Sequence, residues 1–321
     1  MVGSGLTMGA SGRMIYSLRL RCRGESSMSF RFKKKESVAR AVRRLCRERL
    51  DDALETLEKG RRLDAVHHVR KDIKKMRSVL RLMRREISEH SYAEHAKVLR
   101  EAASLLTEFR DAQVKLNAFD ALIKHSRRKH SLPSFSKIHS ALRESCREEE
   151  KKLGRLTVSL KGILNESRHE FKKLEIEAKG WGAIEPGLKK VYGRGREAFE
   201  VARDQLSPVN FHAWRKRVKD LGHQLRLLCP ARPRRLNKLI ERLARLSDLL
   251  GDDHDLFMLN QFVAAHSVKA PDAATLQELI ELRQQELRIE ALKWGARFYR
   301  EKPGRFSRRM GSYWKSWRKK G

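Results

Sequence analysis

The chain has 321 residues, with 73 Lys plus Arg against 40 Asp plus Glu, a formal net charge of +33 and a pI near 10.6. That length holds one large or two ordinary domains with ample apolar content for a core. The charge favours a polyanionic partner (nucleic acid, an anionic membrane surface or polymeric phosphate) and argues against a cationic one. No window approaches the roughly 18 continuous apolar residues of a membrane-spanning helix. The four cysteines, Cys22, Cys46, Cys146 and Cys229, form no CxxC pair. They read as buried or incidental thiols of a reducing, cytoplasmic compartment.

Residues 1–27 are rich in Gly, Ser and Arg and hold Glu25 as their only acid. They are read as a disordered extension upstream of Met28 rather than as an organellar transit peptide. From about Glu36 to Lys59 a helical rhythm runs through Val38, Val42, Leu45, Leu50, Leu54 and Leu57, and Gly60 breaks it. A second helix carries Val66, Val69, Ile73, Met76, Leu80, Met83 and Ile87 in steps of 3 and 4, a narrow apolar seam. One residue after these positions come His67, Arg70, Lys74, Arg77, Arg81 and Arg84. At about 100° per residue, that cationic row runs along the edge of the seam. A third helix is expected from roughly Tyr92 to Lys124 and a fourth from Ser134 to Leu174, with Pro133 between them.

Gly180, Trp181, Gly182, Pro186 and Gly187 read as a break between two halves, about 36–179 and 184–300. The second half opens with a helix from about Leu188 to Leu206, carrying Arg194 and Arg196. A basic helix follows, with Phe211, Trp214, Val218, Leu221, Leu225 and Leu228 as its seam and His212, Arg215, Lys219 and Arg226 beside it. Pro230 and Pro233 end it, because proline cannot continue the hydrogen-bond ladder. Leu236–Ala265, with a kink or turn at Gly251, and Ala273–Arg300 complete the helices, and a basic aromatic tail spans 302–321. All seven prolines read as lying between helices, and no alternating β-branched runs occur. The fold class is all-α: two pseudo-symmetric antiparallel four-helix bundles.

The two basic helices match residue for residue. His67, Arg70, Lys71 and Lys74 align with His212, Arg215, Lys216 and Lys219 at an offset of 145. Leu105–Val114 echoes Leu249–Met258, which aligns Asp111 with Asp255.

These pieces resemble the CHAD family, the conserved histidine α-helical domain. They are His67-x-x-Arg70 with Lys74 and Arg77, Phe109-Arg110-Asp111 with Val114, and Tyr192-x-Arg194-x-Arg196. His212-x-x-Arg215-Lys216-x-x-Lys219 and Leu250-Gly251 with Asp255 complete the set. The resemblance covers roughly 36–300 and implies two related four-helix halves that bind inorganic polyphosphate on a basic surface and central pore, without established catalysis. Gly222 and His223 stand where the family more usually has an Arg-Tyr pair, and Asp72 interrupts the first basic run.

Chemistry fits that expectation. A phosphate chain exposes only oxygens, so a binder needs a line of fixed cations, Arg supplying forks and Lys point charges. Helical spacings of 3 and 4 repeat about every 5 Å. The plain alternative is a solvated face, but this row flanks a seam, repeats, and has few acids at i+4. The residues expected to bind polyphosphate are His67, Arg70, Lys71, Lys74, Arg77, Arg81, Arg194, Arg196, His212, Arg215, Lys216, Lys219 and Arg226. Asp111 and Asp255 either orient His67 or Arg70 and His212 or Arg215, or form structural ion pairs.

No His-x-x-x-His spacing occurs among the twelve histidines, so no metal is expected. Without a phosphate-binding Gly-rich loop there is no sign of a histidine phosphotransferase, and neither catalysis nor a cofactor is expected. Glu175-x-Glu177-x-Lys179 matches the triphosphate-tunnel signature, but outside any strand pattern it is taken as coincidence. The second reading is a non-specific nucleic-acid binder. Against it, Phe109, Phe119, Phe211 and Trp214 fall on seams, leaving only Tyr313, Trp314 and Trp317 to stack on bases or anchor at a membrane surface, and that tail is expected to pack as a final amphipathic turn. The expected place of work is the cytoplasm, including polyphosphate granules.

Overall fold

The structure, a computed structural model, describes residues 30–59, 62–128, 132–177, 179–266 and 271–319. The N-terminal extension and the Gly60 break expected above lie outside those residues. Among the described residues ten α-helices follow in order: α1 Val38–Lys59, α2 Arg62–Leu82, α3 Glu89–Ser104, α4 Thr107–Ser126, α5 Ser136–Glu170, α6 Gly180–Asp204, α7 Pro208–Leu228, α8 Pro233–His266, α9 Pro271–Phe298 and α10 Pro303–Lys319. Among the described residues there is no strand, so the fold is all-α. The segment holding Glu175 and Glu177 is a non-helical connection between a short 3-10 turn and α6.

Both seams read from the sequence are buried. Val69, Ile73, Met76 and Leu80 of α2, and Phe211, Trp214, Val218 and Leu221 of α7, are all at most 1% exposed. Burying each such side chain contributes about 1.5–3 kcal/mol before entropy is counted. One continuous apolar cluster runs from Phe30 to Trp314. Within it α1 packs on α2, α6 on α7 and α8 on α9, while α2 against α7 and α4 against α8 join the first half to the second.

The elements differ from expectation in four places. The helix expected over 92–124 breaks at Leu105–Leu106, with no Gly or Pro to announce it. Pro186 lies inside α6 rather than between helices, and the stretch read as a linker is the first two turns of that helix. Gly180 starts it at φ +60°, a conformation that favours glycine. The basic tail is a full helix, α10, where a single amphipathic turn was expected, with Trp314 only 2% exposed, edge-on to Phe32 and beside Trp181. α8 runs through Gly251 without a break. Cys46 and Cys229 are buried thiols outside any disulfide, Cys229 Sγ donating to Asn237 Oδ1 at 3.0 Å, and burial pushes Cys46 up to about 12.

Candidate polyanion-binding site

Local chemistry sets the two basic helices in register. Ser207 caps α7, its hydroxyl accepting from the Asn210 N–H at 3.2 Å, and Pro208 occupies the first turn. Across the α2–α7 contact the Ser78 hydroxyl donates to the Asp220 carbonyl at 3.0 Å, and Gln224 Nε2 donates to the Ser78 carbonyl at 3.2 Å. Arg81 Nη1 reaches Asp220 Oδ1 at 2.7 Å. With the seams locked together, the flanking rows of both helices meet residues of α4 and α8.

The break between α3 and α4 has a use here. Arg70 Nη1 donates to the Ala103 carbonyl at 2.9 Å, beside the Thr107 hydroxyl at 3.3 Å. From α4, Arg110 donates to Asp111 at 2.9 Å and lies 3.5 Å from Asp255 Oδ1 on α8. Arg215 Nη2 is 3.8 Å from the same Asp255 oxygen, and its buried guanidinium passes over Gly251. The buried Nε atoms of Arg70 and Arg215 have no hydrogen-bond partner.

The lysines record the crowding. Burial, then Arg110, Arg70 and Arg215, bring Lys74 down to about 7, with Asp255 opposing. Lys219 is held well below the usual ammonium range by burial, Arg215, Lys74 and Arg110. Burial lowers Arg70 to about 10, which still leaves it charged at neutral pH. Five cations, Arg70, Lys74, Arg110, Arg215 and Lys219, therefore converge from α2, α4 and α7 around two carboxylates, Asp111 and Asp255.

A model of the CHAD domain matches residues 41–264, well over half of the chain. The chain belongs to the CHAD family. A crystal structure of the CHAD domain from the plant Ricinus communis is similar at 15% identity, covering 88% of this chain and 94% of that one, with a TM-score of 0.47. No curated protein matches the chain.

Three histidines, His67, His212 and His254, sit at the rim of this cluster. His67, on the exposed side of α2, meets the His68 ring edge-on at 6.0 Å. His212 Nδ1 lies 3.1 Å from His254 Nδ1, so one ring nitrogen carries the shared proton. Desolvation and the surrounding cations lower His67 and His212 to about 4 and His254 to about 3. All three are thus neutral at physiological pH and bring hydrogen-bonding capacity rather than charge. Among the described residues no three His, Cys, Asp or Glu side chains converge as a metal-binding set.

The remaining predicted residues divide by place. Lys71, lowered mainly by burial, feels the charge of Arg226, and Arg226 Nη1 sits where a Cβ on Gly222 would be 3.4 Å away. His223 is enclosed there, lowered well below the usual imidazole range by burial and by Arg226. Arg77 neighbours Arg81 and Arg100. Lys216 is exposed. Arg81 is held by Asp220 and Arg196 by Glu200 at 3.1 Å, and Arg194 is exposed on α6. Asp255 lies beside Arg215, whereas Asp111 binds its own neighbour Arg110. Two contributors escape the sequence rows. Arg110 stands in the quoted Phe-Arg-Asp motif but off the two basic helices, and its adjacency to Asp111 was the available signal. His254 is the residue that aligns with Arg110 where Leu105–Val114 echoes Leu249–Met258, so that second echo held the signal for both.

Proposed function

We propose that this protein binds inorganic polyphosphate without turning it over, at the cationic cluster formed by α2, α4, α7 and α8. The observation that carries the reading is the set of buried guanidinium donors left without an acceptor among five cations and two carboxylates. Such a cluster is stabilised by a thin, dense anion that brings many oxygens and little bulk. Arg70 and Arg215 supply the fixed forks, Lys74 and Lys219 the adjustable charges, and Lys71, Lys216 and Arg226 extend the track. Membership of the CHAD family supports the same ligand class.

Among the described residues no helix is long and apolar enough to cross a membrane. The cytoplasm and its polyphosphate granules are the proposed place of work. The experiment is competition between long-chain polyphosphate and duplex or single-stranded nucleic acid at fixed, near-physiological salt. Preference for polyphosphate is expected, and equal affinities would move the protein to the nucleic-acid reading. Labelled polyphosphate should be recovered at unchanged chain length, and its shortening would make the protein an enzyme.

A further inference from the structure

A second concentration of positive charge lies beyond the residues that match the CHAD model. Where α9 hands over to α10, Arg300, Lys302, Arg305 and Arg308 line a surface cup of about 520 Å³ together with Glu301 and Gly304. All four cationic side chains are exposed, and among the described residues no ion pair or side-chain hydrogen bond engages any of them. Many other exposed cations are paired, as Arg147 is with Glu144, Lys151 with Glu148, Lys173 with Glu170 and Arg203 with Asp204. Glu301, the acid of the lining, is already taken. Arg309 grips its carboxylate through Nε at 3.2 Å and Nη2 at 2.5 Å, and its carbonyl accepts from the Tyr192 hydroxyl at 2.9 Å.

The corner is built rigidly. Tyr192 stacks on Phe306 with centroids 4.0 Å apart and 12° between planes. Gly195 of α6 lies against Tyr299, where a Cβ would come within 2.6 Å of the hydroxyl. Gly193 meets Pro303, between Lys302 and Gly304 of the lining. The apolar seam of α7 separates this corner from the central cluster: Trp214 packs on Phe199 of α6 and over Gly295 of α9, while Arg215 and Lys219 point to the α2, α4 and α8 side.

We propose that the α9–α10 corner is a second phosphate site, independent of the central one, that takes a compact run of several phosphates. Four exposed, uncompensated cations suit dense negative charge, and Arg forks suit phosphate oxygens. The lining contains no aromatic residue on which a base could stack, which favours a bare phosphate chain over nucleic acid. The chain is either a free short oligophosphate or the end of a long polymer.

The test is calorimetric titration of the full chain with tripolyphosphate at fixed salt. Arg300→Gln/Arg305→Gln/Arg308→Gln is expected to remove one of two binding events, weakening it by about tenfold or more, with the thermal melt unchanged. The corresponding triple Lys variant, which keeps the charges, should retain most of it. Arg110→Gln, in the central cluster, should remove the other event. If Arg110→Gln changes nothing while the corner variant abolishes binding, the corner stands and the central reading falls. Unchanged tripolyphosphate binding by the corner variant overturns the proposal. Repeating the titration with long-chain polyphosphate assigns the source: loss confined to tripolyphosphate means a free oligophosphate, and loss of both means a chain end.

Discussion

Arg110 Nη2 of α4 lies 3.5 Å from Asp255 Oδ1 of α8, and that oxygen is also 3.8 Å from Arg215 of α7. Arg110 is thus a shared wall of the cluster, and its charge depresses Lys74, Lys219, His67 and His212 alike. Arg110→Gln should weaken polyphosphate binding by about 1.5–3 kcal/mol, the worth of a charge-assisted contact. Unfolding stability should stay within about 1 kcal/mol, since like-charge crowding is relieved and Asp255 keeps Arg215. Arg81→Gln should do the reverse. It strips Asp220, a largely buried acid raised by its burial, of its 2.7 Å partner. A loss of about 1–3 kcal/mol in urea unfolding with little change in affinity is expected. If Arg81→Gln instead lost affinity at full stability, Arg81 would belong to the ligand track.

The pH dependence of binding should follow lysine rather than histidine. An anion seated among Arg70, Arg110, Arg215 and Lys219 lifts the Lys74 amine from about 7 toward its ordinary 10.5, so binding takes up a proton. Affinity should therefore fall as pH rises through 7. Asp248 and Asp252, raised to about 6 mainly by burial, add a fall of the same sign one unit lower. Lys74→Arg should reduce the upper limb to the share of Lys219, which is also lowered, and leave the lower. In the free protein the sign inverts. The unfolded chain binds more protons than the folded one between about 7 and 10.5, so Lys74 makes stability rise with pH across that window. Isothermal titration in buffers of different ionisation enthalpy reads the proton uptake directly, and none at pH 8 would refute the linkage.

Asp72 shows why one interruption in the basic row is required. It is 6% exposed, accepts from Lys75 at 2.7 Å and lies 3.5 Å from Arg49, itself 2% exposed. Asp72→Ala should cost about 3–5 kcal/mol by stranding buried cations, with the remaining folded protein still binding polyphosphate. Asp72→Leu/Lys75→Met, which removes two of the charges, should recover part of that loss. Denaturant midpoints measure both.

Much of this was legible in the chain. The 3-and-4 spacing in α2 and α7 fixed which side was buried, and the 145-residue offset pointed to two helices with matching cationic rows. What stayed hidden was what only tertiary packing decides. Leu105–Leu106 breaks a helix that local propensity would continue, and the Ala103 carbonyl beside that break serves Arg70. Arg81 lies on the same row as Lys74, yet Asp220 on the facing helix claims it. A row of like residues does not reveal which members the fold itself consumes.

Gly187 makes the same point through backbone contact. In the sequence it follows Pro186 and reads as a linker glycine, but it sits in α6 against the end of α2. A Cβ there would lie 1.9 Å from the Leu82 carbonyl oxygen and 2.6 Å from its carbon. Both are backbone atoms, so no rotamer change can relieve the clash, and the helices must separate. Gly187→Ala should therefore destabilise the protein by about 1–3 kcal/mol or more, despite alanine's better helix propensity. Gly182→Ala, five residues earlier with nothing within 4 Å of its Cβ, is the control and should be neutral or slightly stabilising. Thermal melts of the two variants, side by side, decide whether α6 approaches α2 this closely.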